Sequence, residues 1–173
     1  MNNPEFTKPV IRKNITQVIH TLSRREERDI KIVTYLSKVL QSLDDVSIIG
    51  VYEVLPDEPN ICPWYTQLEE SGYTLVFPLG REEQGFTSKD KVNRIDELEI
   101  ELLVVPGRAF DKKGNRIGRG GGWYDQTIAH NIHSECKKVG ICYAAQILDD
   151  VPVEPHDQKV DILVCEEGIM YFS

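Results

Sequence analysis

The feature that most constrains the fold is a change of hydrophobic period along the chain. Val10, Ile11, Ile15, Val18, Ile19 and Leu22 recur at helical spacing, as do Ile32, Val33, Leu36, Val39, Leu40 and Leu43. These stretches predict two amphipathic helices, the first over roughly 9–22. Pro9 suits a first helical turn, and Ser23 with Glu26 predicts a capping box for the second helix. From residue 46 the pattern switches to short runs rich in β-branched residues. Residues 46–52, 73–79, 102–105, 139–143 and 160–165 predict strands, with 169–172 a further candidate. Helical stretches fall between them at 61–71, closed by Gly72, and at 123–133. Residues 53–60 and 81–100 read as loops, the second with room for one helical turn. Strands alternating with helices predict an α/β fold: a single Rossmann-like three-layer domain whose mostly parallel sheet is flanked by helices.

Composition narrows the class. A chain of 173 residues with 40% hydrophobic and 28% charged residues has enough apolar material for one real core. No apolar run approaches the roughly 18 residues of a membrane helix, and the first seven residues do not resemble a secretory signal. A net charge of −8 makes a poor general binder of nucleic acid or anionic membrane. Cys62, Cys136, Cys142 and Cys165 form no CxxC pair and read as reduced thiols. The expectation is a cytoplasmic protein, a monomer or weak dimer, acting on small molecules.

Chemistry concentrates in residues 106–125, PGRAFDKKGNRIGRGGGWYD. Four glycines, Gly118, Gly120, Gly121 and Gly122, fall within five positions just before a predicted helix. Glycine lets successive N–H groups converge on one anion, and the helix N-terminus adds partial positive charge. Arg108, Lys112, Lys113, Arg116 and Arg119 surround a single acid, Asp111, an excess of four positive charges in an acidic chain. The alternatives at this point are a phosphate cradle and a solvated flexible loop. The run is neither a Walker loop nor a dinucleotide fingerprint.

This stretch resembles the hallmark of the 5-formyltetrahydrofolate cyclo-ligases, PGxxFDxxGxRxGxGxGYYD, with Trp123 standing where that family usually has Tyr or Phe. Lys8 and Arg12 match its N-terminal Lys-x-x-x-Arg. Tyr52 and Glu58 match its Tyr…Glu after the first strand. Pro152, Glu154-Pro155-His156-Asp157 and Val160-Asp161 match its C-terminal signature. The resemblance implies a reaction: 5-formyltetrahydrofolate and ATP give 5,10-methenyltetrahydrofolate, ADP and phosphate. It also implies roles. Lys8, Arg12, Arg116, Gly118, Arg119, Gly120, Gly121, Gly122, Trp123 and Tyr124 would bind ATP, with Arg119 and Tyr124 catalytic. Glu58, Tyr52, Gly121 and Trp123 would meet the folate, and Asp125 and Asp161 would hold Mg²⁺. His156 reads as a loop histidine. Family members usually carry a longer segment where this chain has the charged residues 81–100. Two alternatives follow: a non-catalytic nucleotide-binding paralogue with a regulatory role, and the same activation chemistry on a non-folate amide.

Overall fold

The structure, a computed structural model, describes residues 6–80 and 83–172. Its helices are α1 (Lys8–Thr21), α2 (Arg25–Gln41), α3 (Cys62–Glu70) and α4 (Trp123–His130). Its strands are β1 (Ile48–Gly50), β2 (Thr74–Pro78), β3 (Phe86–Ser88), β4 (Arg94–Ile95), β5 (Leu102–Pro106), β6 (Ala109–Asp111), β7 (Arg116–Ile117), β8 (Lys137–Ile141), β9 (Ile147–Leu148), β10 (Ile162–Cys165) and β11 (Gly168–Tyr171).

The main sheet has the order β11-β10-β8-β5-β1-β2-β3-β4. The strands from β10 to β2 pair in parallel, while β11, β3 and β4 are antiparallel. Alternation along β5 explains the layering. Leu102 and Val104 face the core shared with Ile15, Ile19, Leu36 and Trp64 on α1, α2 and α3. Leu103 and Val105 face the opposite core, which Trp123, Tyr124 and Ile128 of α4 help to cover. Both faces of the sheet are therefore buried, as an α/β sheet requires. Each such fully buried side chain contributes about 1.5–3 kcal/mol. The expected three-layer fold and its mostly parallel sheet are observed. All four cysteines are free thiols, and burial pushes that of Cys136 up to about 12.

Three expectations need correction. The Ser23–Glu26 capping box does not form: Arg24 occupies the N-cap position at φ 52°, with no side-chain cap. The start of α2 is instead anchored by Arg25, which donates to the Tyr143 hydroxyl and the Glu58 carbonyl, and by Arg28, which pairs with Glu166. Within 81–100, β3 and β4 form an antiparallel hairpin at the sheet edge. Its strands are too short and polar to signal themselves, yet Phe86 is fully buried. The glycine-rich stretch also begins with structure: β6 and β7 pair antiparallel, and β9 pairs with β6, making a second small sheet.

The strand order fixes where a ligand can sit. From β1 the chain runs through α3, on one face, to β2. From β5, the neighbour of β1 on its other side, it runs through α4, on the opposite face, to β8. The connections diverge between β1 and β5, so a crevice opens at their carboxyl ends, where open α/β sheets bind ligands.

Candidate active site

Two loops leave that crevice: 51–61 after β1, and 107–122 after β5. The second is shaped by Asp111, whose buried carboxylate accepts from the Lys113 and Asn115 amides at 2.8 and 3.0 Å and from the Asn115 side chain at 2.8 Å. This closes the β6–β7 turn and returns the chain to the crevice at Arg116. The bend 118–122 follows. Gly120 sits at φ 105° and Gly122 at φ 66°, backbone that other residues adopt only under strain. Gly122 caps α4 without any side chain, leaving first-turn amides to solvent or a ligand. A Cβ on Gly121 would meet nothing within 4 Å, and one on Gly120 would lie 3.6 Å from the Arg12 guanidinium carbon. The bend therefore opens outward, with a cation against it.

One cation hydrogen-bonded to the backbone and three sets of ion pairs ring the bend. Arg12 donates to the Gly118 carbonyl at 2.8 Å, fixing α1 to the loop. Lys8 holds Asp157 at 2.7 Å and Glu154 at 2.5 Å. Burial alone would lower the Lys8 pKa, but these hydrogen bonds outweigh it and the net direction is upward. Arg116, 2% exposed, pairs with Asp125 at 2.7 Å, and burial pulls its pKa down. Arg119 donates to Glu58 through Nε at 3.0 Å and also pairs with Asp57, which Arg108 engages as well. Burial would raise the Asp57 carboxyl, yet its bonds to Arg119 and Arg108 hold it below the usual carboxylate range.

The aromatic residues line the other wall. Trp123 packs edge-on to Phe86 and Tyr124, at 5.4 and 4.9 Å between ring centroids, and its indole donates to the Glu83 carbonyl at 3.2 Å. The hairpin from 81–100 thus reaches α4. The Tyr124 hydroxyl is buried with no partner among the described residues, and burial and the nearby Glu58 drive its pKa upward.

Lys8, Arg12, Arg116, the glycines 118–122, Arg119, Trp123, Tyr124, Asp125 and Glu58 are thus brought to one crevice. Tyr52 and Asp161 are not placed as expected. Tyr52 is 3% exposed and donates to the Pro59 carbonyl at 3.2 Å, so it props the loop from beneath and offers no face to a ligand. Asp161 precedes β10, at the amino end of the parallel strands, where it accepts from the Lys138 amide at 2.7 Å and pairs with the Lys138 side chain at 3.1 Å. It is the segment after Asp157 that reaches Asp125: the Gln158 amide donates to Asp125 at 2.9 Å, and Asp157 acts electrostatically on Arg116, the partner of Asp125. Glu154, His156 and Asp157 offer ligand atoms within 4.8 Å of one another. Sequence reasoning missed Asp57, whose partner Arg119 lies 62 positions away. It also quoted Asp157 without giving it a role. A separate groove of about 710 Å³ between α2 and α3 is lined by Glu26, Asp29 and the single cation Lys38, a poor setting for an anion.

The sequence matches the model of the 5-formyltetrahydrofolate cyclo-ligase family over residues 18–166. The chain belongs to this family. It is similar to the probable 5-formyltetrahydrofolate cyclo-ligase of Schizosaccharomyces pombe, with 41% identity over 85 residues, covering 43% of this chain and 42% of that protein. It is also similar to the mitochondrial 5-formyltetrahydrofolate cyclo-ligase of Arabidopsis thaliana, 34% identical over 113 residues, covering 60% of this chain and 40% of the relative. The chain thus spans about two fifths of the length of these curated relatives. Among solved structures, a 5,10-methenyltetrahydrofolate synthetase from Mycoplasma pneumoniae superposes with a TM-score of 0.82 at 26% identity, covering 92% of this chain and 98% of that one. No described helix is long and apolar enough to cross a membrane.

Proposed function

We propose that this cyclo-ligase family member converts 5-formyltetrahydrofolate to 5,10-methenyltetrahydrofolate at the expense of ATP. The observation that carries the reading is the glycine bend 118–122 at the β1/β5 crevice, ringed by Lys8, Arg12, Arg116 and Arg119.

The formyl oxygen of an amide-like group is a poor leaving group. In the reaction it attacks the γ-phosphorus of ATP: an O–P bond forms and the bond to ADP breaks, its electron pair leaving with ADP. The folate N10 nitrogen then attacks the activated formyl carbon. The C–O bond breaks, phosphate departs with that pair, and the N10 proton is lost to solvent. Phosphoryl transfer of this kind depends on positioning and charge neutralisation.

The amides of 118–122 and the α4 N-terminus would hold phosphate oxygens, with Lys8 and Arg12 neutralising them and Arg116 adding its field from beneath while paired with Asp125. Arg119, between the bend and Glu58, would stabilise the group in transfer. The buried Tyr124 hydroxyl, which has no partner among the described residues, is an available donor. Glu58, 7% exposed, would orient the pterin or formyl end, with Gly121 and Trp123 beside the ring. Glu154, His156 and Asp157, whose ligand atoms lie within 4.8 Å of one another, with Asp125 reached through Gln158, would be the groups to hold a hard divalent cation such as Mg²⁺, which takes one or two protein carboxylates and fills its shell with water and phosphate. When bound, magnesium would supply further neutralisation of the phosphate charge.

The test mixes protein, 5-formyltetrahydrofolate, Mg²⁺ and ATP and follows methenyltetrahydrofolate absorbance. Its appearance with matching ADP release is the expected result. ATP binding without any absorbance change would overturn the activity.

A further inference from the structure

Asp57 is the one carboxylate of the crevice shared by two arginines. Oδ1 pairs with Arg119 Nη2; Oδ2 pairs with Arg108 Nη2 and also lies 3.5 Å from Arg119 Nη1. The Asp57 side chain is 18% exposed and that of Arg108 12%, so neither group is freely solvated. Arg108 is also incompletely used: its second terminal nitrogen, Nη1, is buried with no hydrogen-bond partner among the described residues. Arg119 is the side chain that the ATP reading directs towards a phosphoryl group. While it is bound to Asp57 and Glu58 it is already neutralised by protein acids.

We propose that Asp57 is a built-in competitor for the anionic ligand of Arg119, and that Arg108 is the positioning residue that takes Asp57 over when the ligand arrives. The inference rests on the phosphate-binding reading of the bend. Arg119 cannot give its full charge to a phosphate while two carboxylates hold it. Releasing Asp57 from Arg119 would leave one oxygen of a partly buried carboxylate without a cation, which is costly. The unused Arg108 nitrogen removes that cost. A guanidinium bound to one carboxylate oxygen through a single nitrogen can take both oxygens in a two-pronged pair, which is stronger and more directional. The exchange keeps Asp57 paired: its contacts to Arg119, through Nη2 and more weakly Nη1, are lost and a second Arg108–Asp57 contact is gained. Arg119 is thereby freed to act only when an anion is present to receive it.

Calorimetric titration with MgATP, and with tripolyphosphate as a probe lacking the nucleoside, tests this on four proteins: wild type, Asp57→Asn, Arg108→Met and the double variant. Removing the competitor in Asp57→Asn should tighten both ligands by about fivefold to tenfold, the range of a charge-assisted hydrogen bond offset by solvent. Arg108→Met should weaken both by about threefold to tenfold, because Asp57 then has only Arg119. The double variant should bind as tightly as Asp57→Asn, since Arg108 acts through Asp57 alone. An Arg108→Met loss that persists in the Asp57→Asn background would mean that Arg108 attracts the ligand directly, and would overturn the exchange. Equal affinities in all four proteins would overturn it while leaving the bend as a phosphate site. If wild type bound neither probe, both readings would fall. Arg108→Lys keeps the charge but cannot form the two-pronged pair, so it should behave like Arg108→Met, and wild-type affinity in it would contradict the proposal.

Discussion

The loop from 107 to 122 carries two kinds of cation that differ in burial far more than in bonding distance. Lys112 and Lys113, at the β6–β7 turn, pair with Asp149 and Asp150 at 2.7 and 3.1 Å, with lysine side chains 66% and 65% exposed. Arg116, a few residues on, pairs with Asp125 at 2.7 Å and is 2% exposed. Water screens the first pairs and they contribute little. The second is shielded from water, so losing either partner leaves an uncompensated charge. The same contrast separates the lysines from Arg108 and Arg119, whose acids line the crevice. What separates the two kinds of cation is burial, not the presence of an acid beside them.

The sharpest way to break that contrast is Arg116→Met. It should cost about 3–5 kcal/mol of stability, the range for removing one partner of a buried pair. A thermal melt should fall by about 10 °C or more for a chain of this size. An unchanged melting temperature would mean the pair is not structural. Arg119→Ala should do the reverse, because its side chain is 32% exposed. Its melt should stay near wild type while turnover falls by about 100-fold, the usual loss when one preorganised donor is removed. Unchanged kinetics would remove Arg119 from the site.

Gly120→Ala sharpens the comparison at the bend itself. At φ 105° a side chain is strained by roughly 1–3 kcal/mol. A modest fall in melting temperature with weaker ATP binding is expected; an unaffected ATP affinity would show that the bend does not need this conformation. A smaller effect comes from pH. Asp57 has a depressed folded pKa, so its pairing contributes stability above the ordinary carboxylate range and loses it as pH falls through the depressed value. Any stability advantage of wild type over Asp57→Asn should therefore shrink between about pH 5 and pH 3. A constant difference in urea unfolding across that interval would contradict the pairing. Smallest of all, Lys112→Ala with Lys113→Ala should leave melting temperature and ATP affinity unchanged within error.

The layered fold was legible because short β-branched runs alternate with helical stretches along the chain, and because α1 and α2 show clear helical stripes. The bend was legible because its glycines and cations are contiguous. What escaped were features set by distant contacts. Asp57 meets arginines from another loop, and nothing near residue 57 announces them. The family resemblance makes Asp161 an expected ligand, but chain direction carries it to the amino end of the parallel strands. The missing capping box has the same origin: Arg25 and Arg28 find tertiary partners at Tyr143, Glu58 and Glu166, and the local Ser–Glu signal yields to them.

The most direct test is a crystal structure with magnesium and a non-hydrolysable ATP analogue. The γ-phosphate is predicted to lie against the amides of 120–122, within reach of Lys8, Arg12 and Arg119. Phosphates seated elsewhere, for instance in the groove between α2 and α3, with the glycine bend empty, would contradict it.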